Sequence, residues 1–375
     1  MRSLLISHQY FPPQRGGISN MMASIAEALG PDRICCLTGV SASENLASPF
    51  AVYRRPRAFS KARIEEAIAL GLTFAEIAIR HRPQAVQLAT VGEGYLGLFL
   101  KRRFDLPYVV YAHGNEIADL AARRAAGDKP SKTLTEAKKV LAVSAFTANL
   151  ATQAGVADEK IQVLHPGCDS GFFQPKQPSE EFRERLLGNH RDGPVILTVG
   201  NLVERKGHDV VIKAMPRLLR ELAGVTYLIV GDGPFRDPLQ RLTVDLRVQE
   251  RVIFAGPMPR AALPDIYALS DLFIMPSRHR VNLCDVEGFG LVFLEAGACG
   301  KPVIGGRSGG IPDAIEEGST GFIVDPEDVD EIAERIRWLI LNSSRAAEMG
   351  SYARRRVLEQ FRWDEVGEKV IHALT

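Results

Sequence analysis

Residues 195–214 read VILTVGNLVERKGHDVVIKA. The first five are apolar or β-branched, as in a strand buried on both faces. Gly200 ends that run, and a polar loop with Asn201, Glu204, Arg205 and Lys206 follows. From Gly207 the pattern changes to HDVVIKAMPRLLREL, with apolar residues at helical spacing. Strand, short loop and helix together form the repeating unit of a parallel sheet.

The unit recurs along the chain. In the first half SLLIS, RICCLT, QAVQLA, YVVYA, KVLAV and IQVLH read as strands, with helical stretches such as ISNMMASIAEAL between them. In the second half VILTVG, TYLIVG, RVIFAG, LFIMP, PVIGG and GFIV do the same. The pattern stops near Cys168 and restarts at Pro194. The segment between, FFQPKQPSEEFRERLLGNHRDGP, reads as a polar linker with a short helix. The expectation is an α/β protein of two doubly wound domains with a cleft between them. A ligand site is expected at the carboxyl ends of the strands facing the cleft. The last helix, WDEVGEKVIHAL, could pack on either domain.

Composition narrows the class. A chain of 375 residues exceeds one ordinary core. With 46% hydrophobic and 24% charged residues it reads as globular, and a net charge of +1 gives no pointer to nucleic acid. Basic residues concentrate between Arg54 and Arg103, in YRRPRAFSKAR and LKRRF. That is either a solvated face or an attraction for an anionic membrane or a phosphorylated acceptor. The five cysteines show no metal-ligand spacing, so reduced thiols in a cytoplasmic enzyme are expected. No run suits a signal peptide or a membrane span, and membrane contact would be peripheral.

Several loops carry chemistry. In YFPPQRGGISN, Gly16 and Gly17 open a helix whose N–H groups suit a phosphate or sugar. VVYAHGNE places His113 just beyond a strand, as a structural histidine or a ligand to a substrate hydroxyl. Arg205 and Lys206 form either a diphosphate clamp or a charged surface loop. The turn Gly231-Asp232-Gly233-Pro234 needs only a structural reason. In DVEGFGLVFLEA, Glu287 precedes a glycine turn and Glu295 lies about a turn and a half into the helix that follows. They would flank one ligand at the helix N-terminus, with a carboxylate suited to a vicinal diol. Ser308, Gly309 and Gly310 repeat the glycine turn. Asp328-x-Asp330 has a metal-binding look, but at the start of a helix it reads as a cap.

Taken in order, the GGI turn, AHGNE, HPGCD, GNLVERKG, IVGDGP, the E-x7-E element around GFG, ACGKPVIGGRSGGIPDAI and GFIVDPED resemble family 4 retaining glycosyltransferases of the GT-B fold. The stretch from Arg278 through DVEGFGLVFLEAGACGKPVI looks especially like bacterial phosphatidylinositol mannosyltransferases, many of which use GDP-mannose. The resemblance implies an acceptor-binding domain over residues 1–168, joined by a helix at 360–375, and a donor-binding domain over 169–359. It implies that Glu295 binds the nucleotide ribose and that Glu287 lies by the donor sugar. Phe289, Gly290, Leu291 and Val292 would offer backbone N–H groups. Lys206, with Arg205 in support, would neutralise the diphosphate. Gly16 and Gly17 would approach it from the other domain, His113 would contact the sugar, and Met258 would border the base. Asn201 departs from the family, where arginine is frequent, and removes one phosphate cation.

The resemblance therefore implies a retaining, metal-independent hexosyltransferase with no cofactor. It would move an α-mannosyl group from GDP-mannose to a hydroxyl of a glycolipid, a lipid-linked acceptor or a small glycoside. A cytoplasmic location is expected, with an anionic membrane surface on its inner face as a partner. The alternatives are a donor such as UDP-glucose or UDP-N-acetylglucosamine, a GT-B epimerase, and a silent sugar-nucleotide-binding subunit.

Overall fold

The computed structural model describes residues 1–14, 16–39, 48–55, 64–123, 129–190 and 192–375. Of the basic stretch, Arg57, Lys61 and Arg63 lie outside the described residues, as does Arg15.

Two compact units divide the chain. One comprises Met1–Gly167 with Trp363–Thr375, the other Cys168–Arg362. Each is a parallel sheet with helical crossovers, the Rossmann-like α/β class expected from the repeating strand–helix unit.

The first unit holds seven strands: β1 (Ser3–Ser7), β2 (Ile34–Thr38), β3 (Ala51–Arg54), β4 (Ala85–Leu88), β5 (Tyr108–Ala112), β6 (Lys139–Ala142) and β7 (Ile161–Val163). Their order is β3-β2-β1-β4-β5-β6-β7, all parallel. Sequence reading finds six of them and misses β3. Its residues AVYR are all partly exposed at the sheet edge, so the buried apolar signal is weak. The strand order reverses between β1 and β4, which makes the loops after them the switch point of this sheet. The helix Trp363–Leu374 belongs to this unit and packs on the helix Gly17–Leu29. Contact is close enough that a Cβ on Gly367 would stand 3.3 Å from Ala28.

The second unit holds six: β8 (Val195–Val199), β9 (Thr226–Val230), β10 (Val252–Gly256), β11 (Leu272–Met275), β12 (Val303–Gly306) and β13 (Gly321–Val324). The order is β10-β9-β8-β11-β12-β13, again parallel. Here the switch point lies between β8 and β11. The helix His208–Glu221 returns from β8 and buries Val210, Val211, Ile212 and Met215 in the core with Ile196 and Ile229. Pro216 sits inside that helix without ending it. In the linker, the expected short helix is Glu180–Leu187, capped by Ser179.

One turn matters for the site. At Gly231, φ is +140° and a Cβ would come within 1.9 Å of the Gly200 carbonyl. Leu202 N–H donates to the Asp232 carbonyl at 3.0 Å, and Phe235 N–H donates to the Leu202 carbonyl at 2.9 Å. The GDGP turn is therefore structural: its glycines let it grip the loop that carries Arg205 and Lys206.

Candidate active site

Because β8 and β11 are neighbours, the loops after them meet at the switch point of the second unit. The loop after β8 tightens into a 3-10 turn, Glu204–Lys206, closed by Gly207 in the left-handed region. No side chain fits there, since a Cβ on Gly207 would stand 2.2 Å from the Pro276 carbonyl. The loop after β11 runs from Pro276 to Gly290 and carries Glu287.

The two loops are joined by charge. Lys206 Nζ donates to Glu287 Oε2 at 2.5 Å, and Arg205 Nη1 donates to the same oxygen at 2.6 Å. Arg205 Nε donates to Asp285 Oδ1 at 2.8 Å. Side-chain exposure is only 13% at Lys206, 15% at Arg205 and 14% at Glu287, so these charges are held largely out of water. Burial alone would push the Glu287 carboxyl up. Lys206 and then Arg205 outweigh it and bring it from 4.5 to about 2, so it is a carboxylate at neutral pH. Burial lowers the Lys206 ammonium, against the pull of Glu287. For Arg205, Glu287 and Asp285 overcome burial and raise it.

Glu287 is held from its backbone as well. Its carbonyl accepts from Gly310 N–H at 2.9 Å. Gly309, at φ +56°, passes so close that a Cβ would be 2.2 Å from that carbonyl. The GGRSGG turn after β12 is thus a brace for Glu287.

Beyond Glu287, Gly290 (φ 95°) starts the helix Leu291–Ala298. No side chain caps this helix, and its first turn carries no acid. A Cβ on Gly290 would lie 3.9 Å from Cγ of Glu287, so the uncapped N-terminus adjoins the carboxylate. Leu291 and Val292 are half-buried in its first turn, while Phe289 is buried with its ring 6.0 Å from Phe361. Such an N-terminus offers N–H groups and a positive dipole end to an anion.

Glu295 has different company. Its Oε2 accepts from Tyr267 Oη at 2.8 Å. Burial raises its carboxyl, with Tyr267 and Arg260 pulling the other way. The two glutamates therefore occupy separate environments: one charge-paired, the other bonded to a neutral phenol. Asn201 is exposed at the start of its loop, and Met258 is half-buried in the loop after β10.

The remaining expected residues lie in the first unit. Gly16, at φ 145°, precedes the helix that Gly17 begins, and neither a side-chain cap nor a first-turn acid is present there. A Cβ on Gly16 would meet nothing within 4 Å, so backbone conformation alone demands glycine. His113 follows β5. Its Nε2 bonds the Ala89 carbonyl at 2.8 Å, and its own N–H donates to Glu116 at 2.7 Å. Burial lowers its pKa, against Glu116 and the Ala89 bond. A carbonyl only accepts, so Nε2 carries the N–H of this bond.

Some features escape sequence reasoning. Sequence pattern does not single out Asp285, although a residue two before Glu287 in an extended loop shares its side. Tyr267 has no local signal. His208 is buried, neither ring nitrogen has a partner among the described residues, and burial followed by Lys206 drives it from 6.5 to about 3. Arg280 pairs with Glu204 at 2.5 Å, and Arg278 with Asp209 at 2.7 Å. Two of the basic-stretch residues are already engaged: Arg54 donates to the Pro12 carbonyl, and Arg55 to Thr73. Asp328 is a helix cap, its Oδ1 accepting from the N–H groups of Asp330 and Glu331 at 2.9 Å each. Among the described residues, no group of three or more His, Cys, Asp or Glu is arranged to hold a metal. No described helix is long and apolar enough to cross a membrane.

Comparison with known proteins gives the same picture over both units. Residues 179–356 match the model described as glycosyl transferases group 1, and residues 15–172 the model described as Glycosyltransferase Family 4. A GDP-mannose-dependent alpha-(1-6)-phosphatidylinositol monomannoside mannosyltransferase of Mycolicibacterium smegmatis is 37% identical, over 75% of this chain and 73% of its own. Its namesake from Mycobacterium tuberculosis is 31% identical, over 98% of this chain and 97% of its own. The solved structure of Anabaena Alr3699/HepE in complex with UDP has a TM-score of 0.79 at 22% identity, covering 100% of this chain and 99% of that one.

Proposed function

From the premise that the chain belongs to glycosyltransferase family 4, we propose that it is a retaining mannosyltransferase using GDP-mannose without a metal. The acceptor is a hydroxyl of a glycolipid of the phosphatidylinositol mannoside kind. The observation that carries this is the junction of Lys206, Glu287 and the uncapped helix at Leu291, in a chain whose relatives at 31–37% identity are named for that donor.

In this reading the bond from the anomeric carbon to the distal phosphate breaks and a bond to the acceptor oxygen forms on the same face. The acceptor proton passes to the departing phosphate. Negative charge grows on the diphosphate, where Lys206 and the helix N-terminus meet it. Glu287 accepts hydrogen bonds from the donor sugar. Glu295, steadied by Tyr267, takes the ribose diol. Within the first unit, the uncapped helix N-terminus at Gly16 and Gly17 suits an anion, and the His113 imidazole a sugar hydroxyl. Peripheral attachment to an anionic membrane belongs to the same reading, since a lipid-bearing acceptor resides there.

A thermal-shift panel of GDP, UDP, ADP and their sugars tests the donor, because ligands of the native state raise its melting temperature. Stabilisation by GDP and GDP-mannose alone is expected. A response to UDP-sugars alone would replace the donor. Incubation of the selected donor with a phosphatidylinositol mannoside, followed by assignment of the anomeric configuration, tests acceptor and stereochemistry. Free epimerised sugar nucleotide, or binding without turnover on any acceptor, would overturn the transferase reading. Activity unchanged by a chelator is expected.

A further inference from the structure

Among the described residues, Arg205 has two carboxylate partners and Lys206 has one. Arg205 reaches Asp285 with Nε and Glu287 with Nη1, so two sides of its planar guanidinium hold carboxylates of the loop after β11. Asp285 itself is strapped in place. It forms an antiparallel bridge with Arg280, with N–H to O distances of 2.9 and 3.3 Å. Arg280 pairs with Glu204 on the opposite turn, and Arg278 N–H donates to the Arg205 carbonyl at 2.8 Å. The loop after β11 is thereby tied to the turn after β8 at several points, with charges of alternating sign.

A diphosphate arriving at Lys206 competes with Glu287 for that ammonium. Glu287 would then be a buried carboxylate beside incoming negative charge unless another cation stayed on it. We infer that Arg205 and Asp285 are positioning residues: Asp285 fixes the Arg205 fork, and Arg205 keeps Glu287 neutralised and in place when the donor draws Lys206 away. This rests on the donor-binding reading above, and it takes Arg205 off the diphosphate. The charged groups facing Glu287 are Lys206 and Arg205 from the turn after β8 and Asp285 from its own loop. The turn after β12 presents backbone N–H.

A lysine at 205 would keep the charge but lose the two-armed fork. The test compares wild type with Arg205→Lys, Asp285→Asn and the double variant. It measures donor KM, kcat, and calorimetric affinity for GDP and UDP. Wild type comes first: if it binds neither diphosphate and transfers from no sugar nucleotide, the functional reading fails before the variants matter. With an active wild type, each single variant is expected to lower kcat about tenfold or more while changing diphosphate affinity less than about threefold. Adding Asp285→Asn to Arg205→Lys is expected to cost less than about twofold more, because Asp285 acts through Arg205. Full additivity would overturn the inference. So would a tenfold loss of diphosphate affinity in Arg205→Lys, which would make Arg205 a phosphate ligand, or wild-type kcat in that variant. If Asp285→Asn does not fold, Asp285→Ser serves in the same cycle.

Discussion

Lys206 and Glu287 are 81 residues apart in sequence and 2.5 Å apart in space, and Arg205 shares the same carboxylate oxygen. The β8–β11 pairing creates this contact. It puts the cation proposed to meet the leaving group under the control of a carboxylate three strands on in the chain.

Lys206→Ala should therefore cost roughly 2–4 kcal/mol of transition-state stabilisation, about 30- to 900-fold in kcat. Steady-state kinetics with GDP-mannose measures it. Turnover near wild type would remove Lys206 from the leaving-group role.

Tyr267→Phe deletes the hydroxyl that serves Glu295 at 2.8 Å. A hydrogen bond to a charged group is worth about 1.5 kcal/mol or more, so nucleotide affinity should weaken about tenfold. The weakening should grow on acidification, because that bond opposes the upward push of burial on Glu295. Calorimetry at neutral and mildly acidic pH reads both effects. Unchanged affinity at both would separate Glu295 from the ribose.

His208 offers a pH test of stability. Its folded pKa of about 3 lies below the 6.5 of the unfolded chain. Between those values the unfolded state takes up a proton that the folded state refuses. Its contribution is at its most favourable above 6.5, and stability falls with pH by about 1.4 kcal/mol per unit below it. Over that range the wild-type stability curve should be steeper than that of His208→Gln by this slope, the loss from Glu287 below 4.5 being common to both. Parallel curves would mean that His208 titrates normally in the folded protein.

Asp328→Ala should cost about 1 kcal/mol of stability through loss of the helix cap. Activity should be equally indifferent to a chelator before and after the change. A metal requirement that disappears with Asp328 would restore a metal-binding reading of Asp328-x-Asp330.

Much of this was legible along the chain. Strand and helix periodicity is local, so the six strands of the second unit and six of the seven in the first follow from runs such as VILTV and YVVYA. The capping role of Asp328 and the uncapped start at Leu291 also follow from neighbours within a few residues. Partners were not legible. The resemblance implies a diphosphate role for Lys206 with Arg205 in support, but nothing local shows that Glu287 faces both or that Asp285 faces Arg205. It left Glu295 without Tyr267, 28 residues away.

By itself, the sequence determined the class of fold, the residues at the strand ends and the family, because these depend on short-range pattern and on an ordered set of motifs. Only tertiary structure decided which charges neutralise one another. A buried ion pair depends on distance and on exclusion of water, and both arise here from strand order: β8 beside β11 closes the loops on each other, and the glycines at 207, 231 and 309 let the backbones approach closely enough to hold them.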